Sequence, residues 1–70
     1  MKLPLEVFWA ELLSRDSRRV IFAWKTLSKE EQHAVWEHLH RMATEEGWLE
    51  PQRVSARAAL SGLREYGVEL

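Results

Sequence analysis

The chain has no cysteine and no asparagine, and it has one isoleucine and one aspartate among its 70 residues. Without cysteine there can be no disulfide, no thiolate zinc site and no iron–sulfur cluster. A single aspartate, Asp16, and the absence of a G-x-S-x-G turn leave little from which to assemble a nucleophile, a base and an orienting acid. Three glycines and two prolines are too few for a glycine-rich loop that cradles phosphate. Uncharged stretches such as Val20-Ile21-Phe22-Ala23-Trp24 are far shorter than the roughly 20 residues of a membrane span. Pro4, Glu6 and Glu11 interrupt any apolar core of a secretory signal. The expectation is a cytoplasmic chain that is not an enzyme and carries no cofactor.

What is present favours helix. Leu, Ala, Glu and Arg are abundant, whereas the β-branched residues amount to five valines, two threonines and the one isoleucine. Apolar residues make up 46% and charged residues 30%, a balance suited to one folded domain spanning 1–70. A chain this small buries only about 60% of its unfolded surface, so its core is marginal unless packing, a metal or a partner supplements it.

Four segments carry the i, i+3, i+4 spacing of amphipathic helices. The first runs from Pro4 to Ser14, with Leu5, Phe8, Trp9, Leu12 and Leu13 as its stripe. The second runs from Ser17 to Leu27 behind Asp16 as N-cap, with Val20, Ile21, Trp24 and Leu27 facing inward. The two are fused in an alternative with three helices. Ser28 and Glu31 form a capping box for the third, whose stripe is Val35, Trp36, Leu39, Met42 and Ala43. Gly47 is expected as its left-handed C′ residue, with Trp48 folding back over Met42 and Ala43. The fourth opens at Pro51 and stops before Gly67; Ala56, Ala59, Leu60 and Leu63 point inward and Val68 returns to Leu63. Short connections imply antiparallel helical hairpins. The pattern Trp-x-x-Leu recurs at Trp9, Trp24 and Trp36, spaced 15 and 12 residues apart, which is the same packing solution on three helices and no solenoid repeat. The predicted fold is an all-α bundle of four short helices.

Three functional constellations stand out. The first is a surplus of large apolar side chains. Val7 lies opposite the stripe of the first helix and Phe22 opposite that of the second, and a helix apolar all round is buried all round. Four short helices cannot enclose two of their number, so the surplus predicts a homodimer or another protein as partner. Val7, Phe22 and Trp9 are the expected contacts, with Arg18 and Arg19 on the rim. Trp24 and Trp36 are assigned to the core.

The second is a row of arginines, Arg53, Arg57 and Arg64, along the 51–66 helix, which could serve a small DNA-binding regulator. Against it, residues 28–50 carry a net charge of −4, which repels phosphate. The connection from Thr44 to Glu50 is also longer than a helix-turn-helix turn.

The third is Glu30-x-x-His33 and Glu37-x-x-His40, seven residues apart on one helical face. Glu-x-x-His is the spacing of di-iron bundles, but there two helices each contribute one copy. A solvated face of Glu–His pairs is the simpler reading, with weak surface binding of a divalent metal as its alternative. His38 sits apart, at the core edge, as a packed residue.

Overall fold

A computed structural model describes residues 3–70. Among these residues there are four helices and no strand: α1 (Leu5–Leu12), α2 (Ser17–Lys25), α3 (Lys29–Thr44) and α4 (Glu50–Tyr66). The protein is thus the all-α bundle expected, with α1 and α2 as separate helices.

Arg15 makes the break between them. Its φ is +65°, a left-handed conformation that costs a residue with a side chain about 1–2 kcal/mol. Two contacts hold it there: the guanidinium donates Nη2 to the Pro51 carbonyl and Nε to Ser55 Oγ, both at 3.1 Å. Ser14 closes the end of α1 by donating Oγ to the Glu11 carbonyl at 2.7 Å. Asp16 then caps α2, accepting from the Arg18 N–H at 3.0 Å. The predicted cap is therefore in place, and the turn is pinned to the first turn of α4.

The capping box of α3 forms in both directions. Glu31 N–H donates to Ser28 Oγ at 3.2 Å, and Ser28 N–H donates to Glu31 Oε1 at 2.8 Å. Gln32 Nε2 also reaches the Trp24 carbonyl at 3.3 Å, tying α3 to the end of α2. At the far end of α4, Gly67 adopts φ +107°. Val68 N–H donates to the Leu63 carbonyl and Gly67 N–H to that of Arg64, the two bonds of a Schellman motif.

The end of α3 departs from expectation. Glu45 leaves the helix extended, with ψ 149°, so Gly47 is not the C′ residue, although its φ is +99°. Arg53 supplies the reason. Its Nη2 donates to the Glu45 carbonyl at 2.6 Å and its Nε to that of Trp48 at 3.4 Å. A side chain from α4 thus satisfies a carbonyl left over at the end of α3.

Fifteen apolar residues form the core, and among the described residues no polar or charged one is buried. α4 is the common element, packing on both α2 and α3. Its inward face is mostly small: Ala56, Ala59 and Gly62 are buried with Leu60 and Leu63. α3 and α4 run antiparallel, since Trp36 meets Arg64 at one end and Glu45 meets Arg53 at the other. α2 runs in the same sense as α4, from Arg15 at Pro51 to Lys25 at Tyr66. The radius of gyration, 11.1 Å, matches the ~11 Å of a folded chain of this length.

The stripes are narrower at the N-terminal end than predicted. Phe8 and Leu12 are fully buried, but Trp9, Leu13 and Ile21 are half-buried and Leu5 is 62% exposed. Leu5 shares the buried side with Phe8 and Leu12 but lies in the first turn of α1, where little covers it. In α2, Ala23 takes the inward place assigned to Ile21.

Two stability measurements follow. A Cβ on Gly62 would meet nothing closer than Ser17 Oγ at 3.5 Å, which is ordinary contact. Gly62→Ala should therefore raise stability by about 0.5–1 kcal/mol through helix propensity alone, read from the urea midpoint. Separately, the Ser28 N–H holds the Glu31 carboxyl below its usual 4.5. A lowered carboxyl stabilises the fold above its unfolded pKa, and that contribution is lost as pH falls through the folded value. The midpoint difference between the parent and Glu31→Gln should be constant near neutral pH and close as the pH drops below about 4.5.

Candidate interaction surface

α2 presents two contrasting sides. Val20, Ala23 and Trp24 are buried. On the other side Arg18, Phe22 and Lys25 follow one another at i, i+4 and i+7, with Arg19 beside them. All four are exposed, and Phe22 is 55% exposed in their midst. The Lys25 ammonium lies 5.1 Å from the centroid of Tyr66, and Tyr66 is itself exposed at the end of α4. The result is an aromatic and cationic face, with Phe22 at its centre and Tyr66 at its edge. Arg19 has an acidic neighbour, Glu11 Oε2 at 3.9 Å, but exposed pairs at that range contribute little and exchange readily.

The other expected interface residues fall differently. Val7 is 43% exposed, on the side of α1 away from Phe8 and Leu12. Trp9 turns towards the interior. Its ring lies edge-on to Phe8 at 5.1 Å and to His38 at 5.3 Å between centroids, and His38 meets Trp48 at 5.8 Å. This row of rings joins α1, α3 and the loop of residues 45–49, and it accounts for Trp9, Trp48 and His38 as packing residues. Trp24 and Trp36 form a second such contact in the core, at 6.2 Å.

The three arginines of α4 are divided among separate contacts. Arg53 clamps the loop carbonyls as described. Arg57 lies 3.8 Å from Glu50, and Arg64 stands over Trp36, 6.0 Å from the ring centroid. Among the Glu–His pairs of α3, Glu30, His33 and Glu37 are exposed, whereas His40 is half-buried with its ring 5.2 Å from Trp36. Among the described residues no three His, Asp or Glu side chains converge where they could hold a metal ion. His40, Arg64 and Glu69 do line an open cleft of about 470 Å³ with Trp36, Val68 and Leu70. It carries charges of both signs.

Two residues of the α2 face lay outside the sequence argument for an interface. Lys25 follows Phe22 at i+3, whereas the sequence argument named only Arg18 and Arg19 as the rim. Tyr66 joins it only because α2 and α4 run side by side, a tertiary fact with no local signal.

Fold and surface together define a small helical bundle whose second helix is exposed along an aromatic and cationic face. No family model matches the chain, and no curated protein or solved structure matches it either. No described helix is long and apolar enough to cross a membrane.

The role given to Arg53 can be checked on stability. Arg53→Ala removes two charge-assisted bonds from carbonyls at the loop, so stability should fall by about 1 kcal/mol, after allowing for the exposure of the group. Arg57→Ala, which breaks only an exposed pair, should cost less than half as much by the same urea titration.

Proposed function

We propose that this chain is a non-catalytic protein-interaction module of the cytoplasm, which docks through the outer face of α2 onto a second copy of itself or onto another protein. The observation that carries the reading is Phe22. The core closes without it, with Phe8, Leu12, Leu39, Leu63 and Val20 fully enclosed, so the fold gives no reason for a phenylalanine on that side. Scattered apolar residues on a surface are ordinary. Phe22 differs because it is ringed by Arg18, Arg19 and Lys25, the composition of an interface anchor with a charged rim. Val7 adds a second exposed apolar residue on the neighbouring helix.

The nucleic-acid reading loses its best support once Arg53 is committed to the α3–α4 loop. The remaining arginines of α4 stand at Glu50 and Trp36, and the overall charge of −1 gives no long-range pull towards phosphate.

Light scattering over a wide concentration range tests the proposal. The parent should form a dimer or larger assembly, or else capture a partner, whereas Phe22→Glu should lower the association constant at least about tenfold, a loss of roughly 1.4 kcal/mol. Where the parent assembles, an unchanged oligomeric state and solubility for Phe22→Glu would refute the reading.

A further inference from the structure

The face on α2 has a counterpart in the same chain. Residues 28–50 hold a net charge of −4, and the segment from the end of α3 to the first residue of α4 carries Glu45, Glu46 and Glu50 within four positions of Leu49, Glu50 sharing its charge with the exposed Arg57 at 3.8 Å. The three glutamates are exposed, and Leu49, 69% exposed, is the barest large apolar residue described. Val54, one turn into α4, extends the apolar character. Nothing in the fold needs the Leu49 side chain. It is the N-cap of α4, yet the cap is made by its backbone N–H, which donates to Gln52 Oε1 at 2.9 Å. Leu49 and Phe22 remain open, so neither covers the other within one chain.

We infer that the occupant of the α2 face is a second copy of this chain, which presents the acidic, leucine-bearing loop of residues 45–50. The inference rests on the proposed role of α2 and adds the identity of the partner surface. Each half supplies what the other lacks. Phe22 meets Leu49, and Arg18, Arg19 and Lys25 meet Glu45, Glu46 and Glu50. Charge complementarity of this kind sets register and speeds encounter, while the apolar centre supplies the affinity. The contact joins two different surfaces. It closes as a dimer if the two chains exchange it reciprocally and extends into a ring or filament if they do not. A standard interface takes about 800 Å² from each partner, roughly a sixth of the 4756 Å² the chain exposes.

An interface made of two unlike halves can be tested by mixing. Phe22→Glu spoils the basic half and leaves the loop intact. The double variant Glu46→Lys with Leu49→Lys spoils the acidic half and leaves α2 intact. All three positions are exposed, so circular dichroism should show native helicity in both proteins. Each variant alone should weaken association at least about tenfold. Their equimolar mixture retains one good pair and should restore a species of about twice the 8.3 kDa chain mass. The parent's association should also weaken about tenfold or more from low salt to 1 M, where screening shortens to about 3 Å. A mixture that stays monomeric, or a loop variant that assembles like the parent, overturns the inference. Arg18→Glu gives a second probe of the basic half and should be rescued by the loop variant in the same way. If the parent assembles and only the α2 variants disturb it, the α2 reading stands and this partner surface falls. If Phe22→Glu and Arg18→Glu leave assembly untouched, both fall. A parent monomeric at every concentration overturns the self-docking alone and leaves another protein as the occupant.

Discussion

The fold depends on α4 lying between α2 and α3. A helix flanked on two sides must offer its neighbours short side chains somewhere, or the backbones cannot approach. α4 does this with Ala56, Ala59 and Gly62, and Leu60 and Leu63 fill the space beside them. The closeness is visible at Gly62, where the backbone of Ser17 in α2 lies within 3.8 Å of the place a Cβ would occupy. Once α2 and α3 are seated, α1 has only one apolar wall left to cover, and it does so with Phe8 and Leu12. That explains why α1 is the least enclosed helix and why Leu5, at its first turn, is left bare.

The same arrangement decides where the polar fastenings fall. Two arginine fastenings end near the start of α4. Arg15 bonds to Pro51 and Ser55, and Arg53 bonds back to the loop that leads into the helix. Arg15 is held in a left-handed conformation, and such strain persists only where surrounding contacts over-determine it; its guanidinium supplies them. Arg53 fixes where the chain leaves α3, in an ordinary extended conformation at Glu45.

How much was legible in the sequence follows from this division. Features set within one turn of helix could be read directly. Asp16, the Ser28–Glu31 box and the Gly67–Val68 stop each bond to residues two to five positions away, and all formed as expected. The burial stripes of α3 and α4 were legible because long helices average out their ends. Features set by a partner distant in sequence could not be read. Gly47 has the signature of a helix stop, but Arg53 of α4 captures the Glu45 carbonyl first. Leu5 and Ile21 fit an apolar period, but burial also requires a neighbouring helix to lie over them. For the interface, Phe22 was found because it breaks the period of its own helix, a local signal. Tyr66 and the exposed Leu49 break none and become conspicuous only in three dimensions.

This contrast bears on why the outer face of α2 calls for a functional account. A residue that violates local pattern is either placed by tertiary packing or kept for something outside the chain. Tertiary packing accounts for Trp9, which the sequence offered as an interface contact and which packs against Phe8 and His38. It accounts for Arg15 and Arg53 through their bonds to α4 and the loop. It does not account for Phe22, whose neighbours on the outer face of α2 are Arg18, Arg19 and Lys25 and whose full burial would require a second molecule. With the ring 55% exposed, it forgoes about 1–1.5 kcal/mol of burial, a noticeable fraction of what a domain of this size has in hand. Replacing it with a polar side chain would remove an aggregation hazard at no cost to the core. A side chain that the core does not use and that solubility disfavours is the ground for the proposed docking role, and the cations around it are the ground for proposing an acidic counterpart.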